Sequence, residues 1–337
     1  MLSQVVFFGL IAAGIPLWIR ILQSLQRGKP PLEPRLRIQS PFGLVDIGIM
    51  FVCWFMSQII ALGVSMLWMG VSIFQLDTMA LENEITLLVI ISVSQLLFTI
   101  LGTGIIAVRY GHAPRIFGWQ PEHLPADLRI GTLVFFAIAP VIMTIQLVLT
   151  QYVEYSHTTL SLLEENPTAA GIAAAWFMAV LVAPATEEIF FRGVLQSWLQ
   201  RQTFFSLDIS PEQIFGGWTR YGFNRPAETN TDVDTETVTD TALGMSQGEQ
   251  AYRPIKVYSD LPDQSRLAWT PIFISALVFG GVHFGQGPAP IPLFFFGLAL
   301  GYVYRQTGST LCCIVMHMLL NGITMFLVTA DALYQTG

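Results

Sequence analysis

Charge is what this sequence has least of. Only 12% of its 337 residues are Asp, Glu, Lys or Arg, against about 25% in an ordinary soluble domain. That leaves too little polar surface to cover a water-facing globule. Net charge is −7 and no basic stripe exists, which excludes a nucleic-acid partner. There are three cysteines, Cys53, Cys312 and Cys313, with no CxxC spacing, so cysteine chemistry is not the expected function. Cys312 and Cys313 are adjacent, a poor geometry for a disulfide. HExxH, GxSxG and GxGD are also absent, which removes zincin-type, serine-hydrolase and aspartyl intramembrane sites. No internal repeat is visible.

What the chain has instead is apolar length. Hydrophobic residues make up 53% and mean hydropathy is +0.57. The apolar residues fall in continuous blocks, most of them about 17–25 residues long, the length of a membrane-crossing helix. They do not alternate as barrel strands do. The expected fold is all-α, a polytopic bundle of about eight transmembrane helices. The spans are Leu2–Ile21, Leu44–Val71, Ile85–Val108, Ile130–Gln151, Ala169–Phe191, Trp269–His283, Ile291–Tyr304 and Leu311–Ala330. The sixth and seventh are short and joined by a Gly/Pro-rich stretch, which also fits a tilted or re-entrant pair. The first span lacks a basic n-region and an A-x-A site, so it reads as an uncleaved helix rather than a signal peptide.

All sixteen Lys and Arg lie at or between alternate ends of these spans. The connections Phe74–Glu84, Tyr152–Thr168 and Phe284–Pro290 hold none, nor do the termini. The positive-inside rule then puts the basic loops in the cytoplasm and both termini outside, in a plasma (inner) membrane. Residues 1–168 supply the N-terminal helices and an interfacial strip, Phe117–Asp127. Residues 169–330 form a second unit, interrupted by a polar cytoplasmic insertion at 203–268. Within it Glu228–Thr241, acidic and Thr-rich, has the composition of a disordered segment.

Ionisable residues at membrane depth are costly and mark function by default. Glu187 and Glu188 stand near the inner end of the fifth span, followed by Arg192. His283 ends the sixth. His317 and Asn321 lie in the eighth. Asp46 opens the second span, close enough to the interface to snorkel, and carries little weight. Glu188 and Arg192 are spaced i,i+4, suited to an ion pair. His317/Asn321 and Phe279/His283 share that spacing, so each pair lines one helix face. Gly280 and Gly281 allow close helix approach. Pro184 is expected to kink its helix and free a backbone carbonyl. Depth is consistent for Glu187 and His317, each about 10 Å in from the same face, but His283 lies about 21 Å of helix beyond Trp269.

Each element alone has a plain alternative: an interfacial salt bridge, a packing histidine, interhelical hydrogen-bonding glue. Three such elements on separate helices point to a site. One carboxylate and two imidazoles suit either a zinc ion with an open water position or metal-free activation of water. Both lead to hydrolysis at membrane depth.

These residues resemble a family pattern. Glu187-Glu188-Ile189-Phe190-Phe191-Arg192 is similar to the EExxxR motif of the CPBP family, the type II CAAX prenyl endopeptidases and bacteriocin-processing enzymes, also called the abortive-infection family. Phe279–His283 resembles its FxxxH motif and His317–Asn321 its HxxxN motif. Phe296-Gly297, Gly301-Tyr302 and Thr307-Gly308-Ser309 are similar to further family positions. The resemblance runs over about Ala169–Ala330, and the long insertion departs from it. It implies an intramembrane endopeptidase acting on a membrane-associated protein or peptide. Glu187 is implied as the water-activating carboxylate, helped by His283. His317 and Asn321 are implied as oxyanion stabilisers, with Glu188, Arg192 and Phe279 in support. Zinc held by Glu187, His283 and His317 and a metal-free glutamate mechanism both fit it. Two other classes compete: a non-catalytic membrane scaffold or immunity factor, and a proton-coupled transporter, the latter disfavoured by the missing inverted repeat.

Overall fold

The structure is a computed structural model describing residues 2–35, 37–38, 41–70, 81–110, 113–153, 163, 167–201, 259–260 and 269–336. The expected disorder of Glu228–Thr241 lies outside the described residues. The fold is all-α. Its one piece of β structure among the described residues is a two-residue antiparallel pairing of Arg37–Ile38 with Ser259–Asp260. Eight helices carry the architecture: α1 (Leu2–Gln26), α2 (Leu44–Met69), α3 (Leu81–Tyr110), α4 (Leu124–Leu149), α5 (Ala169–Leu199), α6 (Thr270–Gly281), α7 (Pro290–Thr307) and α8 (Thr310–Thr336). Each falls on one of the eight apolar blocks.

Six of these, all but α6 and α7, are long and apolar enough to cross a membrane. Their surfaces are inverted relative to a soluble protein. The face that α2 buries reads Asp46, Met50, Cys53, Ser57, Ala61 and Ser65, while Phe51, Val52, Trp54, Phe55 and Ile59 point outward. Small and polar groups inside with large apolar groups outside is the pattern lipid selects. The chain is a polytopic integral membrane protein.

α8 is the hub, packed against α4, α5 and α7. α1 lies against α4, α2 pairs with α3, and α3 reaches α5. Missing side chains set the closest crossings. A Cβ on Gly14 would stand 2.8 Å from the Phe136 carbonyl oxygen, and one on Gly131 would stand 2.7 Å from that of Cys312.

Several expectations need correction. α4 starts at Leu124 rather than Ile130, and Pro121–His123 ahead of it is a single 3-10 turn. The end of the interfacial strip is therefore helix. Asp127 and Arg129 lower the local hydropathy, but Asp127 is fully buried and held by Arg35 and Ser309. Asp46 does not snorkel. It is fully buried, bonded to Arg109 at 2.7 Å, the Tyr110 hydroxyl at 2.6 Å and the Gly43 amide at 2.8 Å. The sixth span is shorter than expected: α6 has 12 residues, about 18 Å of helix against a core of about 30 Å.

Candidate functional site

α5 is not a plain α-helix. Thr168 caps its start by accepting from the Gly171 amide. Ala169–Trp176 is α, Phe177–Val182 is π, Ala183–Glu188 is α, and Ile189–Gln196 is π again. Such π segments inside α-helices accompany functional sites often. Here they bracket the turn that carries Glu187 and Glu188.

The second π segment aims a ladder of polar side chains at α7. Arg192 donates to the Gly297 carbonyl at 3.4 Å, and Gln196 to the Gly301 carbonyl at 2.8 Å. The Gly301 acceptor has no side chain to block the approach: a Cβ there would stand 2.9 Å from the Gln196 amide oxygen. From α6, Ser275 donates to the Phe191 carbonyl at 3.2 Å. Of the two glycines expected to admit a neighbour, Gly280 does so, with the Pro290 carbonyl 2.7 Å from where its Cβ would sit. Gly281 faces open space.

Around this frame the polar residues converge. The expected ion pair forms, Arg192 to Glu188 Oε1 at 3.1 Å, with both side chains fully buried. The same oxygen takes His317 Nδ1 at 2.8 Å. The carboxylate is the acceptor, so Nδ1 carries a proton and Nε2 is left for other chemistry. His283 also carries a proton on Nδ1, which it donates to the Phe279 carbonyl at 2.8 Å. Phe279 is the centre of the group. Its ring lies 5.3 Å from that of His283 and 5.6 Å from that of His317, and the Arg192 guanidinium sits 4.3 Å over its face. Phe296 closes the other side of His317 at 5.7 Å.

Glu187, next to Glu188 in the chain, is half-buried, and its Oε2 is enclosed without a hydrogen-bond partner. Glu188 Oε2 is equally unpartnered. Buried polar atoms are nearly always satisfied, so two idle carboxylate oxygens on neighbouring residues suggest a site shaped for something that arrives. Asn321 donates from Nδ2 to the Ala179 carbonyl at 2.8 Å. Among the described residues no three His, Cys, Asp or Glu side chains form a group that could hold a metal ion.

Two contacts were not visible in the sequence. The Glu188–His317 bond joins residues 129 positions apart, and no spacing rule reaches that far. Gln95 of α3 donates to Thr186 at 2.8 Å, fixing the residue next to Glu187; its only signal was an amide inside an apolar span.

The model of the type II CAAX prenyl endopeptidase Rce1-like family matches residues 169–220 and 257–323. These stretches contain Glu187, Glu188, Arg192, Phe279, His283, His317 and Asn321, and the gap between them falls inside the polar insertion. Neither a curated protein nor a solved structure matches the chain. From Ala169 onward, then, three motifs on three helices and the family match describe one unit, and the chain carries an Rce1-like type II CAAX prenyl endopeptidase (CPBP) family domain.

Proposed function

We propose that this protein is an intramembrane endopeptidase that hydrolyses a peptide bond of a membrane-associated protein or peptide, with Glu187 activating the water. Family membership suggests an intramembrane protease. The observation that carries the reading is the idle Oε2 of Glu187, the residue that precedes Glu188 of the buried Arg192–Glu188–His317 unit. In it one carboxylate is braced by its partners and its neighbour is left with an unused oxygen.

In the proposed reaction Glu187 takes a proton from water as the water oxygen bonds to the scissile carbonyl carbon. His283, its Nδ1 tied to Phe279, shares that proton through Nε2. The oxyanion is stabilised by protonated His317, whose positive charge the Glu188 carboxylate balances. Collapse of the tetrahedral intermediate breaks the C–N bond, and Glu187 returns the proton to the leaving amine. Arg192 holds Glu188 in place. An apolar surround raises the worth of each of these charges.

The finer topology belongs to the same reading. α6 and α7 complete eight crossings as a short hairpin in a plasma (inner) membrane, with the basic loops on the cytoplasmic face. The even partition of Lys and Arg supports that orientation. A cysteine at Lys29 is expected to react with an impermeant thiol reagent only after cell lysis; labelling of intact cells reverses the orientation.

The reaction itself is tested by comparing the membrane proteomes of cells making wild-type protein and cells making Glu187→Gln at equal levels. The expected result is a set of fragments present in the first and missing in the second. Identical fragment sets overturn the protease reading in favour of a scaffold.

A further inference from the structure

At the basic end of the α6–α7 hairpin Trp269 stacks on Tyr302, the rings 5.7 Å apart and 8° from parallel, and the Arg305 guanidinium lies 5.3 Å from the Trp269 ring. The Tyr302 hydroxyl also accepts from the Leu32 amide, in the loop after α1. Trp, Tyr and Arg gather at the membrane–water boundary, so this cluster marks where the hairpin enters the hydrocarbon. From Tyr302 to Pro290 α7 runs twelve residues, and α6 is 12 residues long. Each leg therefore rises about 18 Å. Against a core of about 30 Å the turn stops about 12 Å short of the far boundary.

α8 gives nearly the same figure by another route. The rings of Phe296 and His317 are 5.7 Å apart, which sets the two helices level there. From Phe296 α7 climbs six residues to Pro290, about 9 Å. From His317 the uncharged stretch of α8 climbs thirteen residues to Ala330, about 20 Å. The hairpin thus ends about 11 Å below the apolar top of its neighbour.

The turn is open to its surroundings. Phe284 is 89% exposed, Val282 53% and Ile291 49%. Its backbone is irregular, with Gly285 at φ +104° and Gly287 at φ +62°. Irregular backbone facing lipid does not occur within hydrocarbon, where its polar groups find no partners. A bilayer accommodates an apolar segment shorter than itself by thinning around it. We infer that the α6–α7 hairpin thins the membrane locally: headgroups and water of the leaflet opposite the basic loops dip by about 12 Å to meet the turn at Phe284–Pro288. The six long helices hold the ordinary thickness elsewhere. His283 directly precedes Phe284, so the dip brings far-side water to the edge of the candidate site.

The test places single cysteines in the full chain, in leaky vesicles of dioleoyl phosphatidylcholine whose two faces both meet an impermeant maleimide. The native cysteines are buried, and the unaltered chain gives the background. Trp269→Cys reads the near end of the hairpin and Phe284→Cys the far end. Phe55→Cys is the reference: it faces outward on α2, eleven residues from Leu44, about 17 Å up a helix of full length. Both hairpin cysteines are expected to react at least roughly 10-fold faster than the reference, because water reaches both ends of the short span. A Phe284→Cys no faster than the reference means that the turn hangs in hydrocarbon or is covered by another chain, and overturns the inference. A fast Phe284→Cys beside a Trp269→Cys no faster than the reference means that the hairpin is displaced towards the far side of a bilayer of ordinary thickness, and overturns it too. Should a variant not accumulate, deuterium uptake by the unaltered chain in nanodiscs of the same lipid decides. Exchange within minutes at Trp269–Thr270 and at Phe284–Gly287, with Ser275–Phe279 protected, supports the dip; protection at either end refutes it. Neither readout depends on cleavage, so failure of the protease reading leaves both outcomes intact.

Discussion

Buried carboxylates occur in two regions of this protein, and they are treated in opposite ways. At the basic ends of the helices Asp46 and Asp127 are saturated. Asp46 gives one oxygen to Arg109 and the other to Tyr110 and the Gly43 amide. Asp127 gives one to Arg35 and the other to Ser309. In the motif of α5, Glu188 crowds Arg192 and His317 onto a single oxygen and leaves the second idle, and Glu187 has an idle oxygen as well. Asp46, Asp127 and Glu188 are all fully buried and all bond an arginine, so burial and charge do not separate these three. Completeness of hydrogen bonding does. A satisfied carboxylate ties helices together; one held half-satisfied keeps capacity for a proton or a substrate.

The sharpest test of that difference is Glu187→Gln, which keeps the shape and removes the base. Cleavage is expected to fall about 10²–10⁴-fold, with Tm unchanged or raised because the enclosed oxygen makes no hydrogen bond that the change could break. A fall in Tm with normal cleavage per folded molecule would put Glu187 in the same class as Asp127. Next, His317→Ala is expected to reduce cleavage about 10²–10³-fold, as loss of an oxyanion donor does. The signature to look for is a fall in kcat larger than any change in KM. Glu188→Gln is expected to show in both readouts. It weakens a buried pair with Arg192, a class of change that costs up to about 3–5 kcal/mol when one partner is lost, and it releases the His317 ring. Normal Tm for this variant would mean that the pair contributes nothing to folding. The smallest effect is expected from Asp127→Asn. Thermal unfolding should register about 1–3 kcal/mol while cleavage per folded molecule stays at the wild-type level. Any selective loss of activity there would erase the distinction between the two regions.

Long apolar blocks made the eight helices legible, because lipid demands them and each crossing needs a minimum length. Where the reading slipped, a charge was judged without its partner. Asp127 and Arg129 moved the expected start of α4 to Ile130, and Asp46 was expected to snorkel. Their partners Arg35, Ser309, Arg109 and Tyr110 belong to other helices or loops, and helix register is set by packing that no local spacing encodes. The motif residues stood out because ionisable groups inside spans are rare, and the Glu188–Arg192 pair followed from its i,i+4 spacing. The convergence on Phe279 did not follow, since three helices must first assemble. The insertion explains part of the distance between motifs in the chain and says nothing of their distance in space.

The two π segments of α5 have a consequence for rotational phase. Each accommodates its residues at a slower winding than the α-helix around it, so the faces before Phe177 and after Gln196 are out of step with a continuous α-helical count. The side chains in between inherit that offset. Removing one residue from Phe177–Val182 would let that stretch close up as ordinary α-helix, whose faster winding of about 100° per residue makes up for the lost residue. Residues on either side would then keep their relative azimuth, and Glu188 would still face His317. What would change is the backbone in between, where i→i+5 bonds would give way to i→i+4 bonds. The slow winding is thus what lets this helix hold an extra residue without turning the motif away from its partners.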